Sequence, residues 1–290
     1  MVQRSIRSSR QDRLDSILGC LIADETASAQ SLAARFDVSL MTMHRDLDEL
    51  QRRGIVRKFR GGVSVQRTST YEITAPLRRL VAVPQKRAIA AAAAALVSPG
   101  QAVLLDDSTT AASMLDHVLD VEDLHIVTNY LPALNRIAEG GTATSTAIGG
   151  TYDAGHESFL GVGAAAAIRA IRVDTAFLST TTADAEGTYH QEESIVGVKA
   201  EMLRSARRRV LLADSTKLGA TSLHLVCGWE SIDDLITDTG APAELLDTVR
   251  SRGVRVAVVA PDSDGTEPGS EAFPVVQQEQ SRTDDNEEDV

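Results

Sequence analysis

The chain has 290 residues, of which 43% are hydrophobic and 3% aromatic, and its formal net charge is −12. This length suits about two domains, and small aliphatic side chains can supply their cores. Two distant cysteines argue against a disulfide framework or a zinc site, and no apolar run reaches the roughly 18 residues of a membrane span, so we expect a cytoplasmic protein without metal or bound cofactor.

The charge is unevenly distributed. Residues 1–70 carry twelve Lys and Arg against eight Asp and Glu, whereas residues 262–290 carry one against ten. A polyanion responds to local charge, so the basic N-terminal part is the one that matters for nucleic acid. The pattern predicts four zones: a basic, helix-rich domain at 1–66, a linker at 67–84, an α/β domain at 85–260 and an acidic, disordered tail at 261–290.

The first zone has the spacing of a winged helix-turn-helix. Apolar residues recur at helical intervals from Leu14 to Leu21, and a second helix begins near Ser28. Ser39 is a natural N-cap for a third helix, whose inward face contains Met43. The segments IVRKF and VSV, joined by RGG, then predict a β-hairpin that forms the wing.

The third helix can read DNA with its N-terminal end. At about 100° per residue, a buried Met43 places Arg45 on the opposite side, and Asp46 beside the packed face, where we expect it to be structural. Such helix ends enter the major groove, where arginine pairs with guanine. A lone arginine is more often a solvated or salt-bridged surface residue, but helix, turn, wing and local charge agree here. The predicted DNA-binding residues are Ser39, Met41, Thr42, His44, Arg45, Arg57, Lys58 and Arg60.

The run VSLMTMHRDLDELQRRGIVRKFRGGV resembles the N-terminal signature of the DeoR family of bacterial transcription regulators. The two patterns agree at the VS pair, at Thr42, at the RDL block and at the glycines of the wing. They differ at His44, where the family usually has arginine. They also differ at Met43, where it usually has isoleucine, a volume-conserving change.

From residue 85 onward, helical and strand patterns alternate, which predicts a largely parallel sheet covered by helices. Ligands of such sheets bind at the carboxyl ends of the strands. Residues 106–110 follow one strand and open a helix, where hydroxyl and N–H groups favour phosphate, although a plain N-cap has the same residues. Gly150 permits either a close backbone approach or an ordinary turn, and Lys217 can pair with phosphate or with Asp214.

This zone also resembles the DeoR family, in its C-terminal sensor domain, over residues 80–260. The matching pieces are LLDDSTT, IVTN, IGG, DTAFLS, VKAEML and LLADSTKLG, with Ser108 in place of a glycine of the family. The resemblance implies a fold akin to ribose-5-phosphate isomerase that senses a phosphorylated sugar or related metabolite. The effector-binding residues that it implies are Asp106, Thr109, Thr110, Asn129, Gly150, Lys199 and Lys217, and we expect Ser108 of the same loop to belong with them.

These features predict a DNA-binding repressor of carbohydrate or polyol genes, bound to double-stranded operator DNA as a homo-oligomer and released by its effector. No catalytic residue is assigned. The alternative is an isomerase-like enzyme with an appended DNA-binding module, in which Asp106 is the base and Lys199 the electrophile. An activator is also compatible with the sequence.

Overall fold

The computed structural model describes residues 10–23, 26–52, 55–65 and 74–261. Three helices and a three-stranded antiparallel sheet, with strand order β1-β3-β2, form the N-terminal domain. Its elements are α1 (Arg10–Ala23), β1 (Thr26–Ala27), α2 (Ala29–Arg35), α3 (Leu40–Arg52), β2 (Val56–Phe59) and β3 (Gly62–Val65).

Local sequence explains these helices. The apolar stripe of α1 is fully buried against Met43 and Leu47 of α3, in one core. The Ser28 hydroxyl accepts a hydrogen bond from Ser31 N at 3.0 Å and so caps α2. The Ser39 hydroxyl accepts one from Thr42 N at 3.1 Å at the start of α3. The predicted winged helix-turn-helix is therefore confirmed.

The larger domain begins with a short helix and continues as an α/β unit. Its elements are α4 (Ala75–Arg78), α5 (Val83–Ala94), β4 (Ala102–Leu105), α6 (Thr109–Ala112), α7 (Leu115–Val118), β5 (His125–Thr128), α8 (Leu131–Ala138), β6 (Thr144–Ala147), β7 (Thr151–Asp153), β8 (Ser158–Leu160), α9 (Gly161–Arg169), β9 (Val173–Leu178), β10 (Thr182–Ala183), β11 (Gly187–His190), α10 (Glu193–Ser205), β12 (Ala206–Leu212), β13 (His224–Gly228), β14 (Asp234–Asp238), α11 (Ala243–Ser251) and β15 (Arg255–Val259).

Seven parallel strands form the central sheet, in the order β15-β14-β12-β9-β4-β5-β6. Helices α5 to α8 cover one face, where Val103 and Leu105 point, and α9 to α11 cover the other, where Leu104 points. The expected α/β class is confirmed. From β4 the chain adds strands first on one side and later on the other, so the sheet has a topological switch point between β4 and β9.

Two elements differ from what their local sequence predicts. The run STTAASMLDHVL predicts one helix over 108–119, but the structure has two short ones, α6 and α7. Ser113 donates its hydroxyl to Thr109 O at 2.9 Å, a back-bond that bends helices. The apolar run SLHLV predicts a further strand of the parallel sheet, but β13 pairs antiparallel with β11 in a separate sheet.

The predicted linker includes α4, which contacts both domains. Ala75 is fully buried in the core of the α/β domain, and Leu77 is buried in the core of the winged helix-turn-helix. The tail beyond residue 261 lies outside the described residues, and so does Gly54, at which the sequence predicts the end of α3. None of the described helices combines the length and apolar composition that crossing a bilayer requires.

Candidate functional site

Helix α3 presents the predicted DNA-reading surface. Met41, His44 and Arg45 are exposed, whereas Met43 and Asp46 are buried, as the helical phase predicts. Asp46 accepts hydrogen bonds from Arg13 Nε at 2.7 Å and Arg10 Nε at 3.2 Å, which ties α1 to α3. Asp46 is therefore structural, while Arg45 extends away from the core.

The wing lies against this helix. Lys58 of β2 donates a hydrogen bond to Asp48 of α3, and this bond lowers the pKa of the Asp48 carboxyl. Arg57 and Arg60 are exposed, and Gly61 makes the hairpin turn at φ 99°. The exposed arginines of the hairpin are thus held beside α3, whereas the ammonium of Lys58 already has an acidic partner.

Ser39 and Thr42 share a different arrangement at the start of α3. Their hydroxyl oxygens lie 2.9 Å apart, and the Ser39 oxygen also caps the helix. Both side chains remain at least partly accessible. Their assignment to DNA stays a prediction, as does that of the other residues of this surface.

The switch point of the large sheet holds a buried ion pair. Asp106 follows β4 and is fully buried, and Lys199 of α10 is 4% exposed. Lys199 Nζ donates to Asp106 Oδ2 and to Ser179 O, the latter at 3.1 Å. Asp106 also accepts from Ser179 N at 2.7 Å and from Ser108 N at 3.0 Å. The pair thus joins the carboxyl ends of β4 and β9.

A second carboxylate completes this cluster. Asp107 Oδ1 lies 3.6 Å from Lys199 Nζ, and its Oδ2 accepts from Ser158 Oγ at 2.8 Å. Burial alone would raise the pKa of Asp107, but the charges of Lys199 and Arg78 and the Ser158 hydrogen bond together hold that pKa below its ordinary value. Asp107 is therefore ionised at neutral pH despite its burial.

Lys217 approaches the same strand end from the segment after β12. Its Nζ donates to Ser179 Oγ at 2.7 Å and lies 4.0 Å from Asp214 Oδ2. The side chain is 17% exposed, more than that of Lys199 at 5%. Lys217 is the more accessible of the two ammonium groups beside Ser179.

Two buried oxygens nearby have unmet hydrogen-bonding capacity within the described chain. They are Thr110 Oγ1 after β4 and Asn129 Oδ1 after β5; the Asn129 amide nitrogen donates to Phe159 O at 3.0 Å. Buried polar atoms are normally paired. Polar ligand groups at the strand ends can satisfy them.

The remaining predicted effector residues have other surroundings. Ser108 Oγ accepts from Ala111 N at 3.0 Å and caps α6. Thr109 lines a cleft on the α5–α8 face of the sheet. A Cβ on Gly150 would lie 2.6 Å from Leu160 O, so the glycine there permits a close backbone approach. The three roles expected for these residues stay predictions.

The sequence prediction missed Asp107 and Ser158 as members of the cluster. Asp107 belongs to residues 106–110, which the sequence places at the start of a helix, but no binding role was predicted for it. Ser158 lies in β8, and nothing in its local sequence indicates that it contacts Asp107. The described residues contain no group of three or more His, Cys, Asp or Glu side chains that could hold a metal ion.

Two family models match the chain. A DeoR-like helix-turn-helix domain matches residues 13–69, and the DeoR C terminal sensor domain matches residues 81–239, more than half of the chain. The chain belongs to the DeoR family. It is a DNA-binding transcription regulator, with the winged helix-turn-helix followed by an α/β sensor domain.

Curated relatives of this DeoR-family chain span nearly the same length. The uncharacterized HTH-type transcriptional regulator YgbI of Escherichia coli K12 is 32% identical over 231 residues, 80% of this chain and 91% of that protein. The HTH-type transcriptional repressor GlcR of Bacillus subtilis is 27% identical over 256 residues, 87% of this chain and 98% of that protein. The L-fucose operon activator of Haemophilus influenzae is 26% identical over 220 residues, 76% of this chain and 88% of that protein.

Among solved structures, ribose 5-phosphate isomerase A from Methanocaldococcus jannaschii aligns with a TM-score of 0.32 at 16% identity, covering 46% of this chain and 53% of that one. The α/β assignment of the DeoR sensor domain therefore rests on the strand topology described above and not on this likeness.

Exchanging His44 for arginine tests whether this position faces DNA. We expect His44→Arg to change base preference, or to steepen the salt dependence of operator binding by about one unit of log–log slope if the new cation meets a phosphate. A guanidinium is always charged and presents a fixed fork of donors that suits phosphate or guanine. Anisotropy titrations across salt concentrations measure both effects. His117→Arg adds the same group at an exposed site of α7; if both variants behave like the parent chain, His44 does not meet DNA.

Proposed function

We propose that this regulator represses genes of carbohydrate or polyol metabolism and leaves its operator when a phosphorylated sugar or related metabolite binds the switch point of the sensor domain. The name of the relative GlcR, a repressor, and that of the L-fucose operon activator support a role in transcription of sugar genes. Because the second of these relatives is named an activator, activation of the target genes is the alternative to repression.

The observation that carries the proposal is a continuous set of contacts from the switch point to α4. Ser158 donates to Asp107 at 2.8 Å at one end of the segment 153–158. In the same segment, Gly155 O accepts from Ala75 N at 2.8 Å. Since α4 is buried in both domain cores, a change at Asp107 has a direct mechanical route to the DNA-binding domain.

His156 is the central side chain of this route. It is 5% exposed, its Nδ1 lies 3.3 Å from Arg78 Nη1, and its Nε2 lies 3.1 Å from Glu192 Oε1. A guanidinium only donates and a carboxylate only accepts, so the ring accepts at Nδ1 and donates at Nε2, as a neutral imidazole does. His156 therefore links Arg78 of α4 to the start of α10, the helix that contains Lys199.

The chemistry of the switch point suits a phosphorylated, hydroxylated ligand. Lys217 can pair with phosphate, and the unmet oxygens of Thr110 and Asn129 can bond to ligand hydroxyls. A ligand regulates only if it binds one state of the protein more tightly than the other. Pairing of a ligand hydroxyl with Asp107 alters the Ser158 contact from which the route to α4 begins, which supplies that difference.

Sensing fits the cluster better than catalysis. Both oxygens of Asp106 accept hydrogen bonds, and one of them also pairs with Lys199. A general base must instead have an oxygen within reach of the substrate proton. The proposal also includes a cytoplasmic homo-oligomer, because helix-turn-helix proteins commonly bind paired half-sites as symmetric dimers.

A thermal-shift screen of the full chain with pentose and hexose phosphates tests the ligand class. A ligand that binds only the native state at 100 times its Kd adds about 2.7 kcal/mol of stability, which raises the unfolding midpoint.

We expect Lys217→Ala to lose this shift and keep operator binding. We expect Arg78→Ala to keep the shift and operator binding but to lose release by the ligand, and Arg250→Ala, at an exposed site of α11, to behave like the parent chain.

Each failure of this experiment has its own meaning. Normal release in Arg78→Ala would refute the route through α4. A screen without any stabilising phosphate would refute the ligand class. Turnover of a stabilising sugar phosphate by the parent chain, lost in Asp106→Ala, would establish the enzyme instead.

A further inference from the structure

We propose that the sensor domain has a second anion-binding site, in a cleft on the opposite face of the sheet from α10. The cleft has a volume of about 290 Å³ and lies among α5, α6, α7 and α8. Lys199 and the core around it belong to the face covered by α9 to α11. The cleft contains Thr109, one of the predicted effector residues, but it lies on the other face of the sheet from Lys199 and Asp107. It is thus a site separate from the buried ion pair, and it goes beyond the proposed function.

Positive charge dominates the wall of this cleft. Arg79, Lys86, Arg87 and Arg136 line it, and Asp116 is the single carboxylate among the described lining residues. This concentration of positive charge contrasts with the composition of the surrounding chain, because residues 71–261 contain sixteen Lys and Arg against twenty-three Asp and Glu. A concave surface with one sign of charge attracts ligands of the other sign.

Part of the polar wall is buried. Lys86 is 5% exposed and Tyr130 is 1% exposed. Burial raises the pKa of the Tyr130 hydroxyl, although the charge and hydrogen bond of Arg79 act in the opposite direction. The hydroxyl is therefore protonated at neutral pH and accepts from Arg79 Nη2 at 3.2 Å. These groups form a preorganised polar wall beneath the exposed arginines.

Two exposed arginines of the cleft have an acidic neighbour among the described residues, and a third has none. Arg136 Nη2 lies 3.7 Å from Asp116 Oδ1, which is beyond hydrogen-bond length, and Arg79 pairs with Glu157. Arg87 has no ion pair within the described part of the chain. A phosphate monoester would add charge-assisted hydrogen bonds to these guanidinium groups. At about 30 Å³ per water, the volume holds about ten waters, which suits a small phosphorylated metabolite.

The position of Arg79 gives the site a regulatory consequence. Arg79 directly follows α4, and its partner Glu157 is next to His156, which contacts Arg78. An anion bound to Arg79 competes with Glu157 for that guanidinium. Occupation of the cleft therefore weakens one attachment of α4 to the sensor domain.

Calorimetric titration of the full chain with inorganic phosphate, ribose 5-phosphate and ribose tests the site. We expect two ribose 5-phosphate sites in the parent chain, one in Lys217→Ala, and loss of the other in the double variant Arg87→Ala/Arg136→Ala. In that double variant, affinity at the cleft should fall at least tenfold. The control, Arg172→Ala/Arg207→Ala, removes two exposed arginines outside the cleft and should keep both sites. Binding of phosphate alone at the cleft would identify the phosphoryl group as the recognised part.

The outcomes separate this inference from the proposed function. A single site that only Lys217→Ala removes would overturn the cleft and leave the switch point intact. A single site that only the double variant removes would support the cleft and refute the switch point. Equal binding of neutral ribose at the cleft would overturn anion recognition, and the absence of any binding would overturn both sites.

Discussion

Replacing Lys199 by alanine is expected to lower the free energy of unfolding of the sensor domain by about 3–5 kcal/mol, the cost of removing one partner from a buried ion pair. Lys199 donates to Asp106 and lies 3.6 Å from Asp107, and both carboxylates are buried. Without the ammonium group, two negative charges remain in a medium that solvates them poorly. The loss should exceed that of Lys217→Ala, whose side chain is more exposed.

The fluorescence of Trp229 can be used to follow unfolding of the sensor domain. It is the only tryptophan of the chain, it is fully buried in the sensor core, and its indole N–H donates to Asp184 O at 2.9 Å. Urea unfolding followed at Trp229 therefore measures the sensor domain alone. A loss below about 1 kcal/mol for Lys199→Ala would mean that other groups already compensate the carboxylates.

The pH dependence of the stability difference distinguishes the loss of the Lys199 charge from the loss of its packing. In the parent chain the pKa of Asp107 lies below its ordinary value of 3.8, so its contribution to stability is present above that pH and disappears as the pH falls through the folded value. In Lys199→Ala the Asp107 carboxyl should bind a proton at higher pH, because burial raises its pKa once the cation is gone. The stability difference between the two chains should therefore narrow from pH 7 to pH 5. A constant difference would indicate lost packing instead.

Local patterns in the sequence predicted the elements that present the sites. The start of α2 near Ser28, the cap at Ser39 and the inward face of α3 follow from rules that span three or four residues, and the structure confirms them. The buried strands were equally predictable from the sequence, since parallel strands that are covered on both faces form nearly continuous apolar runs.

Contacts between distant segments were not predictable in this way. Ser158 and Asp107 are 51 positions apart, and Arg78 and His156 are 78 apart. No periodicity relates such pairs, so neither the second carboxylate of the cluster nor the route to α4 had a local signal. The pairing of β13 was unpredictable for the same reason, because a short apolar run does not specify which sheet it joins.

Replacing Arg45 by alanine is expected to weaken binding to a footprinted operator by about 1–3 kcal/mol, or about 5- to 150-fold in Kd. Arg45 is exposed near the N-terminal end of α3, where a helix-turn-helix contacts base edges, and a bidentate pair with guanine gives a discrimination of this size. Because a base contact carries sequence information, the variant should lose its preference at one base pair of each half-site.

Two further arginines test whether Arg45 reads a base or only neutralises charge. Arg60→Ala, in the turn of the wing, should weaken binding to all sequences alike and reduce the salt slope by about one if Arg60 meets a phosphate. Arg52→Ala, at the far end of α3 and paired with Glu49, should change little. If Arg45→Ala reproduces the uniform loss expected of Arg60→Ala, Arg45 contacts the backbone. If its affinity equals that of Arg52→Ala, α3 does not insert this face into the groove, because a guanidinium held against base edges cannot be removed without a change in Kd.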